Sequence, residues 1–402
     1  MKENVFDVAI IGGGVAGVFA AKKLSQASDV RCILFDLGRP QGKRRHQLSG
    51  WFGCFPNSDG KLYSQDVEKV AETSGKRSAG KAATWVKRYI NDVTKVKLTE
   101  DRKPLVAAEK RIQKAGFDYH LNDYIQMFPK DIHAVSKCLS DEIETSGKVQ
   151  FSFDNEVYSI HKQKGMFCLV TEQGEFQAKK ILITVGRSGW RWATKIYENF
   201  GIVDSDEVAR FGVHAEISSS YMKDFNKSNL SMFNNDMTIG PVSWNGTIIP
   251  EDHYDLAISA FRSNENRWKT DKVSFKIIGN YATAKGSSET NRLGCLAFVL
   301  ANERISKERI STLVGGRSKV SPLREFDWLT QACNKIQEVI PEFINKGYFH
   351  IPTIMPLPPK VALGDNFSTE LDNFFLAGES AGVHGLMGAA VSGALAADGI
   401  VK

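Results

Sequence analysis

Apolar runs, glycine turns and helical spacings give the first part of the chain a strand–turn–helix pattern. Within Asp7–Leu24 the run Val8–Ile11 is wholly apolar, which is typical of a buried strand. After a glycine turn, Val18, Ala21 and Leu24 recur at the spacing of an α-helix. The next apolar run, "VRCILFD", predicts a second buried strand directly after this helix.

The middle of the chain changes from helical to alternating spacing. Apolar residues after Asp131 recur at helical spacing and predict an amphipathic helix that ends near Gly147: Ile132, Val135, Leu139 and Ile143. The runs "VQFSF", "EVYSIHK", "MFCLVTE" and "GEFQAKK" then predict one strand followed by a β-meander. A fully apolar strand, "ILITVG", follows and stops at Gly186.

Two further regions have their own patterns. Residues 63–120 predict two or three helices with many basic residues, for which a solvated helical face is a better interpretation than an anion or partner site. Between Gly201 and Pro352, strand-like runs alternate with polar turns and predict a mixed sheet: "RFGVHAEIS", "DLAISAF", "KVSFKIIG" and "LGCLAFVLA".

Length and composition narrow the class of protein. A chain of 402 residues with 42% hydrophobic and 24% charged residues predicts a globular protein of two closely connected domains. Its net charge of +6 suits an anionic ligand but does not indicate a nucleic-acid binder. We expect no signal peptide and a cytoplasmic location. The six cysteines are scattered without a C-x-x-C pair, so we expect reduced thiols and no metal site.

The glycine turn after the first strand has the spacing of a dinucleotide-binding motif. Gly12, Gly14 and Gly17 fall at G-x-G-x-x-G positions, which provide a tight turn, close approach of a pyrophosphate, and close packing of helix on strand. The N–H groups at the start of the helix, at Val15, Ala16 and Gly17, are predicted to hold the phosphates.

The second strand ends in the acidic residue that this motif requires. Asp36 lies about twenty residues after the glycines, where a carboxylate binds ribose hydroxyls. Leu37 and a basic loop follow, and its cations can neutralise a pyrophosphate or can form a solvated loop: Arg39, Lys43, Arg44 and Arg45. The motif alone does not distinguish NAD from FAD.

The last segment of the chain has no Asp, Glu, Lys or Arg between Glu379 and Asp398. Its length allows a membrane tail, a buried core helix or a cofactor-binding segment. Few of its residues are large and apolar, and no cationic cluster precedes it, so the membrane interpretation is disfavoured. A helix that starts near Gly385 is predicted to bring the N–H groups of Leu386 and Met387 close to a ligand.

Four segments together resemble the glutathione-reductase-like FAD-binding superfamily, in its subset with a single nucleotide-binding domain. They also resemble a bacterial group of uncharacterised FAD-dependent dehydrogenases. The four are the glycine motif, "GWFGCFPNSDGKL", "ILITVGRSGWRW" and the closing segment. The resemblance implies an α/β fold with a discontinuous Rossmann-like FAD-binding domain, a β-meander and an inserted mixed α+β substrate domain. The implied boundaries are 1–62, 126–200 and 355–402 for the FAD-binding domain, 63–125 for a helical insertion and 201–354 for the substrate domain.

The resemblance also implies further FAD-binding residues. The glycine-rich loop of the family ends in S-D-G-K-L, and the corresponding loop of this chain ends in the same five residues. The family version has more glycine before the serine. The family position after the closing strand is usually Asp and bonds a ribityl hydroxyl, whereas this chain has Glu379. The additional positions implied are Ser58, Asp59, Gly60, Val157 beside the adenine, Val185, Gly186, Arg187 and Gly378.

The function implied is an FAD-dependent oxidoreductase that transfers a hydride between a small-molecule substrate and flavin N5. A flavin monooxygenase and a flavin-binding regulatory protein without turnover remain alternatives. His384 and Lys61 are the candidate catalytic groups, and each also has a purely structural interpretation. No second G-x-G-x-x-G follows a strand, so electrons would come from the substrate, from NAD(P)H bound without a dedicated domain, or from a redox partner protein. We expect no nucleic-acid or membrane partner.

The tryptophan pair Trp190 and Trp192 resembles the W-x-W motif of flavin-dependent halogenases. Their isoleucine lies two residues after the second tryptophan and a proline follows, whereas here the isoleucine is Ile196 and the proline is missing. The pair is therefore interpreted as packing or substrate-pocket residues.

Overall fold

The computed structural model describes residues 4–27, 29–99, 105–205, 210–252, 257–263, 270–280, 292, 299, 304–322, 326–355 and 358–402. Parts of the regions discussed above lie outside these residues: Arg102 and Lys103 among the basic residues of 63–120, the first residues of "DLAISAF" and nearly all of "LGCLAFVLA".

The described residues form helices and strands of the following bounds. The helices are α1 Val15–Ser25, α2 Asp66–Ser74, α3 Lys76–Thr94, α4 Val106–Lys114, α5 Pro129–Thr145, α6 Trp190–Phe200, α7 Ile310–Val314, α8 Trp328–Val339, α9 Phe343–Lys346 and α10 Leu386–Ile400. The strands are β1 Val5–Ile11, β2 Cys32–Phe35, β3 Lys61–Tyr63, β4 Leu98–Thr99, β5 Asp118–Leu121, β6 Tyr124–Gln126, β7 Val149–Ser152, β8 Val157–Gln163, β9 Met166–Thr171, β10 Gly174–Ile183, β11 Arg210–Ser218, β12 Leu230–Phe233, β13 Met237–Ile239, β14 Ser243–Trp244, β15 Thr247–Asp252, β16 Ala257–Ser263, β17 Lys272–Asn280, β18 Ser306–Arg309, β19 Tyr348–Met355 and β20 Phe374–Leu376.

The chain divides into two compact units. The first unit is drawn from Met1–Leu98, Ile125–Asp206 and Leu357–Lys402, and the second from Thr99–Tyr124 and Glu207–Pro356. Helices and strands occur in both units, and a parallel and an antiparallel sheet are both present. The predicted α/β class with a β-meander is confirmed.

The first unit is built on a sheet in the order β7-β2-β1-β10-β9-β8, with β20 also paired to β10. β7, β2, β1, β10 and β20 are parallel, so their carboxyl ends meet at one edge. From β1 the chain continues to β2 and β7 on one side of β1. It later returns to the sheet as β10, on the other side of β1. The carboxyl ends of β1 and β10 therefore form the topological switch point, where open α/β sheets bind ligands.

Strand β10 connects the meander to the parallel sheet. Its first half pairs with β9, its residues 181–183 pair with β20, and its other edge pairs with β1. The sequence predicted separate strands, "GEFQAKK" and "ILITVG", whereas the structure has one continuous strand. The pattern changes from alternating to wholly buried along it because the sheet is covered on both faces only at its second half.

Both faces of the parallel sheet are buried, and β1 shows how the sequence achieves this. Val8 and Ile10 belong to a hydrophobic cluster formed with α1, α5 and α10. Phe6, Ala9 and Ile11 face the opposite side and belong to the cluster formed with the meander and α6. The wholly apolar run predicted from the sequence therefore reflects burial on two sides.

The closing segment forms α10, which packs inside the first unit. A Cβ atom built on Gly393 would lie 2.1 Å from the carbonyl oxygen of Ala16, so α10 crosses α1 in direct backbone contact. Eleven of the fifteen residues of α10 are buried, which accounts for the scarcity of charge in this segment. No helix in the described part of the chain has both the length and the apolar character that a bilayer crossing requires.

The second unit is built on an antiparallel sheet in the order β18-β19-β11-β17-β13-β12-β5, with β14 paired to β17. On β11, Phe211, Val213 and Ala215 face a hydrophobic core shared with α4, α7, α8 and α9. The intervening residues His214 and Glu216 are polar but also buried.

Two lysines and a histidine surround the buried carboxylate of Glu216. Its Oε1 lies 3.0 Å from Lys272 Nζ and also pairs with Lys307, and its Oε2 lies 3.5 Å from His350 Nε2. Burial alone would raise the pKa of Glu216, but His350, Lys307 and Lys272 outweigh it and hold the pKa well below the usual range. The charged form of Glu216 is therefore stabilised by the fold.

Replacing Glu216 with glutamine is expected to lower the free energy of unfolding by about 1–2 kcal/mol at neutral pH. Removal of the buried charge leaves the cations without their common partner, while their partial exposure limits the loss. A depressed pKa contributes stability above the unfolded value near pH 4 and loses it as the pH falls. Denaturant unfolding should therefore show the difference at pH 7 and a smaller one at pH 3.

The matched control is Glu338→Gln, which removes an exposed carboxylate from α8 in the same unit. This control should change stability by less than about 0.5 kcal/mol. Equal stability of Glu216→Gln and the wild type at pH 7 would contradict the prediction.

Candidate functional site

The candidate site lies at the carboxyl edge of the parallel sheet in the first unit. The glycine turn follows β1, Asp36 follows β2, Thr184 follows β10 and Gly378 follows β20. Because these strands are parallel and adjacent, the four segments meet at one edge.

Neighbouring atoms crowd Gly12 and Gly17 in the glycine turn, whereas the space beside Gly14 is open. Gly12 has φ +110°, and a Cβ atom on Gly17 would lie 2.0 Å from the Gly12 carbonyl oxygen. A Cβ atom on Gly14 would meet nothing closer than the Thr184 carbonyl oxygen, at 3.9 Å. Packing therefore requires glycine at position 17 but leaves room beside Gly14. No side chain caps the N-terminus of α1, and its first turn has no acidic residue, so its N–H groups suit an anion.

Asp36 fixes the backbone around this turn. Its Oδ2 accepts a hydrogen bond from Gly13 N at 2.7 Å, and its Oδ1 accepts from Gly38 N and Gly50 N at 2.7 and 2.8 Å. Burial raises the pKa of Asp36, while the three N–H groups and the Arg44 guanidinium act in the opposite direction. Sequence reasoning assigned ribose hydroxyls to this carboxylate and missed its three backbone contacts.

The aromatic loop after Gly50 packs directly on the glycine turn. Phe52 has φ +70°, and its N–H donates to the Gly13 carbonyl oxygen at 2.7 Å. A Cβ atom on Gly53 would lie 3.1 Å from Gly14 Cα, so this glycine belongs to the site although sequence reasoning did not select it. The side chains of Trp51 and Phe52 are buried in the core. The loop therefore presents backbone to the turn.

The S-D-G-K segment forms a tight turn of its own. Ser58 Oγ donates to Phe55 O and accepts from Gly60 N, and Lys61 Nζ lies 3.9 Å from Asp59 Oδ2. Gly60 has φ +70°, and its Cβ atom would lie 2.0 Å from a backbone carbonyl oxygen. Local backbone geometry therefore accounts for this glycine.

The remaining predicted residues of the first half lie in different surroundings. Arg44 Nη2 donates to the carbonyl oxygens of two residues in its own loop, both at 3.1 Å. Arg45 and Leu37 are exposed, whereas Val157 is buried in the core of the meander.

Thr184 precedes Val185 and Gly186, two site positions that the resemblance implied, so that the three form a T-x-G sequence. Its side chain holds the ends of β1 and β10 together. Thr184 Oγ1 donates to Ile11 O at 3.0 Å and to Gly12 O at 2.7 Å. Val185 follows, and its carbonyl oxygen accepts from Ser380 Oγ at 2.8 Å. Gly186 then begins the short helix that contains Arg187. The order of T-x-G residues provided the signal from which Thr184 could have been selected.

Glu379 links two predicted site residues. Its Oε1 lies 3.4 Å from Arg187 Nη2, and its Oε2 lies 2.8 Å from His384 Nδ1. The preceding Gly378 has φ +64°, and its Cβ atom would lie 3.0 Å from Ala16 Cβ, beside the start of α1. The side chain of Glu379, one methylene longer than the aspartate expected at this position, reaches both the arginine and the histidine.

One acidic residue of the site was missed entirely from the sequence. The carboxyl group of Asp66 lies at the N-terminus of α10 and interacts with the N–H groups of Met387 and Gly388. A Cβ atom on Gly385 would lie 2.1 Å from Asp66 Oδ2. Leu386 and Met387, whose N–H groups were predicted to lie close to a ligand, thus begin a helix whose N-terminus already has the carboxyl group of Asp66 beside it.

The similarity of this chain to known proteins is remote. A scan against protein-family models gave no match, and a search of curated proteins gave none either.

Solved structures give weak likenesses over nearly the whole chain. Glycine oxidase from Geobacillus kaustophilus is 13% identical with a TM-score of 0.47, and the match covers 99% of this chain and 95% of that one. PqsL from P. aeruginosa in complex with 2-aminobenzoylacetate is 12% identical with a TM-score of 0.41, over 99% and 86% of the two chains. A mutant of the halogenase PltM in complex with FAD is 11% identical with a TM-score of 0.49, over 98% and 69%. At these values the likeness does not transfer a ligand or a reaction to this chain.

Proposed function

We propose that this protein is an FAD-dependent oxidoreductase that transfers a hydride between a small-molecule substrate and flavin N5. The observation that supports it most is the open space beside Gly14 at the uncapped N-terminus of α1, at the switch point of a parallel sheet. A pyrophosphate requires both features, since its oxygens must approach the backbone and accept from helix N–H groups.

The residues of the first unit divide the work of holding FAD. The N–H groups of Val15 and Ala16 receive the pyrophosphate, and Asp36 keeps Gly13 in place beside it. Glu379, at the end of β20, stands where a ribityl hydroxyl can be bonded. When bound, FAD supplies the hydride-transfer chemistry, so the protein need only bind, orient and exclude water.

The pair of His384 and Glu379 can hold a proton at this edge. The Glu379 carboxylate, 2.8 Å from Nδ1, favours the tautomer with its proton on Nδ1. Nε2 is then the nitrogen that accepts a proton from a reacting group. Lys61, the other candidate, lies near Asp59 in its own turn, so a positioning role suits it better.

The nucleotide-binding motifs of the sequence bear on how electrons reach the flavin. The sequence has no second G-x-G-x-x-G after a predicted strand, so we propose that NAD(P)H binds without a dedicated domain or that a redox protein delivers electrons. If the flavin oxidises the substrate, the substrate itself supplies the electrons, and neither NAD(P)H nor a redox protein is needed to reduce the flavin.

The test is reconstitution of the purified protein with FAD, followed by anaerobic mixing with donors. We expect about one FAD per chain, released intact on denaturation, and reduction of its absorbance by NADH, NADPH or a reduced carrier protein. Failure to retain FAD, even when it is supplied during refolding, would contradict the proposal. Bound FAD that no donor reduces at useful rates would instead favour a regulatory protein.

A further inference from the structure

Asp66 is the first residue of α2, and its carboxyl group is seated at the N-terminus of a second helix, α10. Two glycines leave the space for it. A Cβ atom on Gly385 would lie 2.1 Å from Asp66 Oδ2, and one on Gly388 would lie 3.2 Å from the Asp66 carbonyl oxygen. The carboxyl group therefore fills a volume that an ordinary side chain at position 385 would take.

The electrostatic surroundings of Asp66 act in opposite directions. Its Oδ2 is buried and has no hydrogen-bond partner. Burial, together with the charge of Glu379, outweighs the N–H groups of α10 and His384 and raises the pKa of Asp66 to about 7. The other charged groups on α2 are Glu68, Lys69 and Glu72, which are exposed, and the charged group on the packed strand β3 is Lys61, which lies beside Asp59.

Asp66 thus belongs to the same edge as the proposed FAD site. It interacts with the charges of His384 and Glu379, and Glu379 follows Gly378, which touches the start of α1. A buried carboxyl group that is balanced between its two forms responds to any new charge at this edge.

We propose that Asp66 takes up a proton from solvent when the FAD bound at this edge is reduced. The inference rests on the proposed function. A hydride donor gives the cofactor two electrons and one proton, which adds negative charge, and a second proton converts the Asp66 carboxylate to a neutral carboxylic acid. Reoxidation releases that proton. The net uptake is two electrons and two protons, with the donor as the reductant.

A purely structural role gives a different expectation. Asparagine caps helix N-termini about as well as aspartate, so Asp66→Asn would preserve a capping function. It would abolish proton uptake, because an amide does not titrate. The dependence of the midpoint potential on pH therefore separates the two roles.

The experiment is anaerobic potentiometry of the FAD-loaded protein from pH 5 to 9, with dithionite as the reductant. In the wild type we expect the slope to steepen near neutral pH by about 30 mV per pH unit, which is one extra proton per two electrons. Asp66→Asn should lose this steeper interval. Glu72→Gln, an exposed carboxylate on the same helix, should keep it.

The result that overturns the proposal is Asp66→Asn protein that binds FAD and keeps the steeper interval. Should the variant fail to fold or to bind FAD, the wild type decides the question by infrared difference spectroscopy. Reduction should then produce a protonated-carboxyl band that shifts on ¹³C-aspartate labelling, and its absence overturns the proposal. Wild-type protein that binds no FAD refutes the proposed function itself, which is a different outcome.

Discussion

Replacing Gly14 by alanine is expected to leave the protein folded and to weaken FAD binding by at least about 100-fold, or about 2.7 kcal/mol. The residue has φ −71° and ψ −174°, which alanine adopts without strain, and its Cβ atom would meet no protein atom closer than 3.9 Å. The new methyl group would instead occupy the space beside the N-terminus of α1. Fluorescence titration of the apoprotein with FAD measures the affinity, and thermal unfolding measures the stability.

The matched variant is Gly17→Ala, three residues after Gly14 and in the first turn of α1. Its Cβ atom would lie 2.0 Å from the Gly12 carbonyl oxygen and 2.7 Å from Thr184 Oγ1, so the helix must move away from the strand. Alanine is favoured over glycine in a helix by about 1 kcal/mol, but the overlap should outweigh this and destabilise the protein by about 3 kcal/mol. The two alanines therefore separate loss of binding from loss of fold.

An unchanged FAD affinity in Gly14→Ala would contradict the placement of the pyrophosphate at this turn. Loss of stability in Gly14→Ala by more than about 2 kcal/mol would contradict the view that packing does not require this glycine, since alanine is a poorer N-cap residue than glycine and the exchange itself costs about 1 kcal/mol.

The parts of this fold that the sequence predicts are those set by local pattern. The alternating runs in residues 149–180 predict one strand and the meander, and helical spacing after Asp131 predicts α5, which the structure places at Pro129–Thr145. The continuity of β10 is not local, because the change from alternating to fully buried positions depends on which strands lie on each side. The pattern therefore indicated two strands where there is one.

Site residues that depend on distant packing could not be predicted. Asp66 reads as an ordinary acidic residue in the first turn of a helix, and its position at the end of α10 requires contact between segments more than 300 residues apart. Gly53 likewise gains its role from the approach of a separate loop to the glycine turn. Asp36 was predicted by spacing, but its three N–H partners include two that lie beyond the motif.

Replacing Asp36 by asparagine is expected to lower the free energy of unfolding of the apoprotein by about 3 kcal/mol. An amide oxygen can accept from Gly38 N and Gly50 N, but its NH₂ group then faces Gly13 N, and two donors oppose each other. Hydrogen bonds to a charged group contribute about 1.5–3 kcal/mol each, and an unsatisfied buried donor adds a penalty. Denaturant unfolding without FAD measures this loss.

The control is Asp154→Asn, which removes a partly exposed carboxylate that lies 3.5 Å from Arg39 Nε. It should cost less than about 1 kcal/mol. The comparison decides what Asp36 does. If this carboxylate served ribose hydroxyls alone, Asp36→Asn would lose FAD affinity while the apoprotein kept its stability. The carboxylate oxygens of Asp36 hold Gly13, Gly38 and Gly50, and thereby the glycine turn proposed to receive the pyrophosphate. We therefore expect Asp36→Asn to lower the FAD affinity and the stability of the apoprotein together.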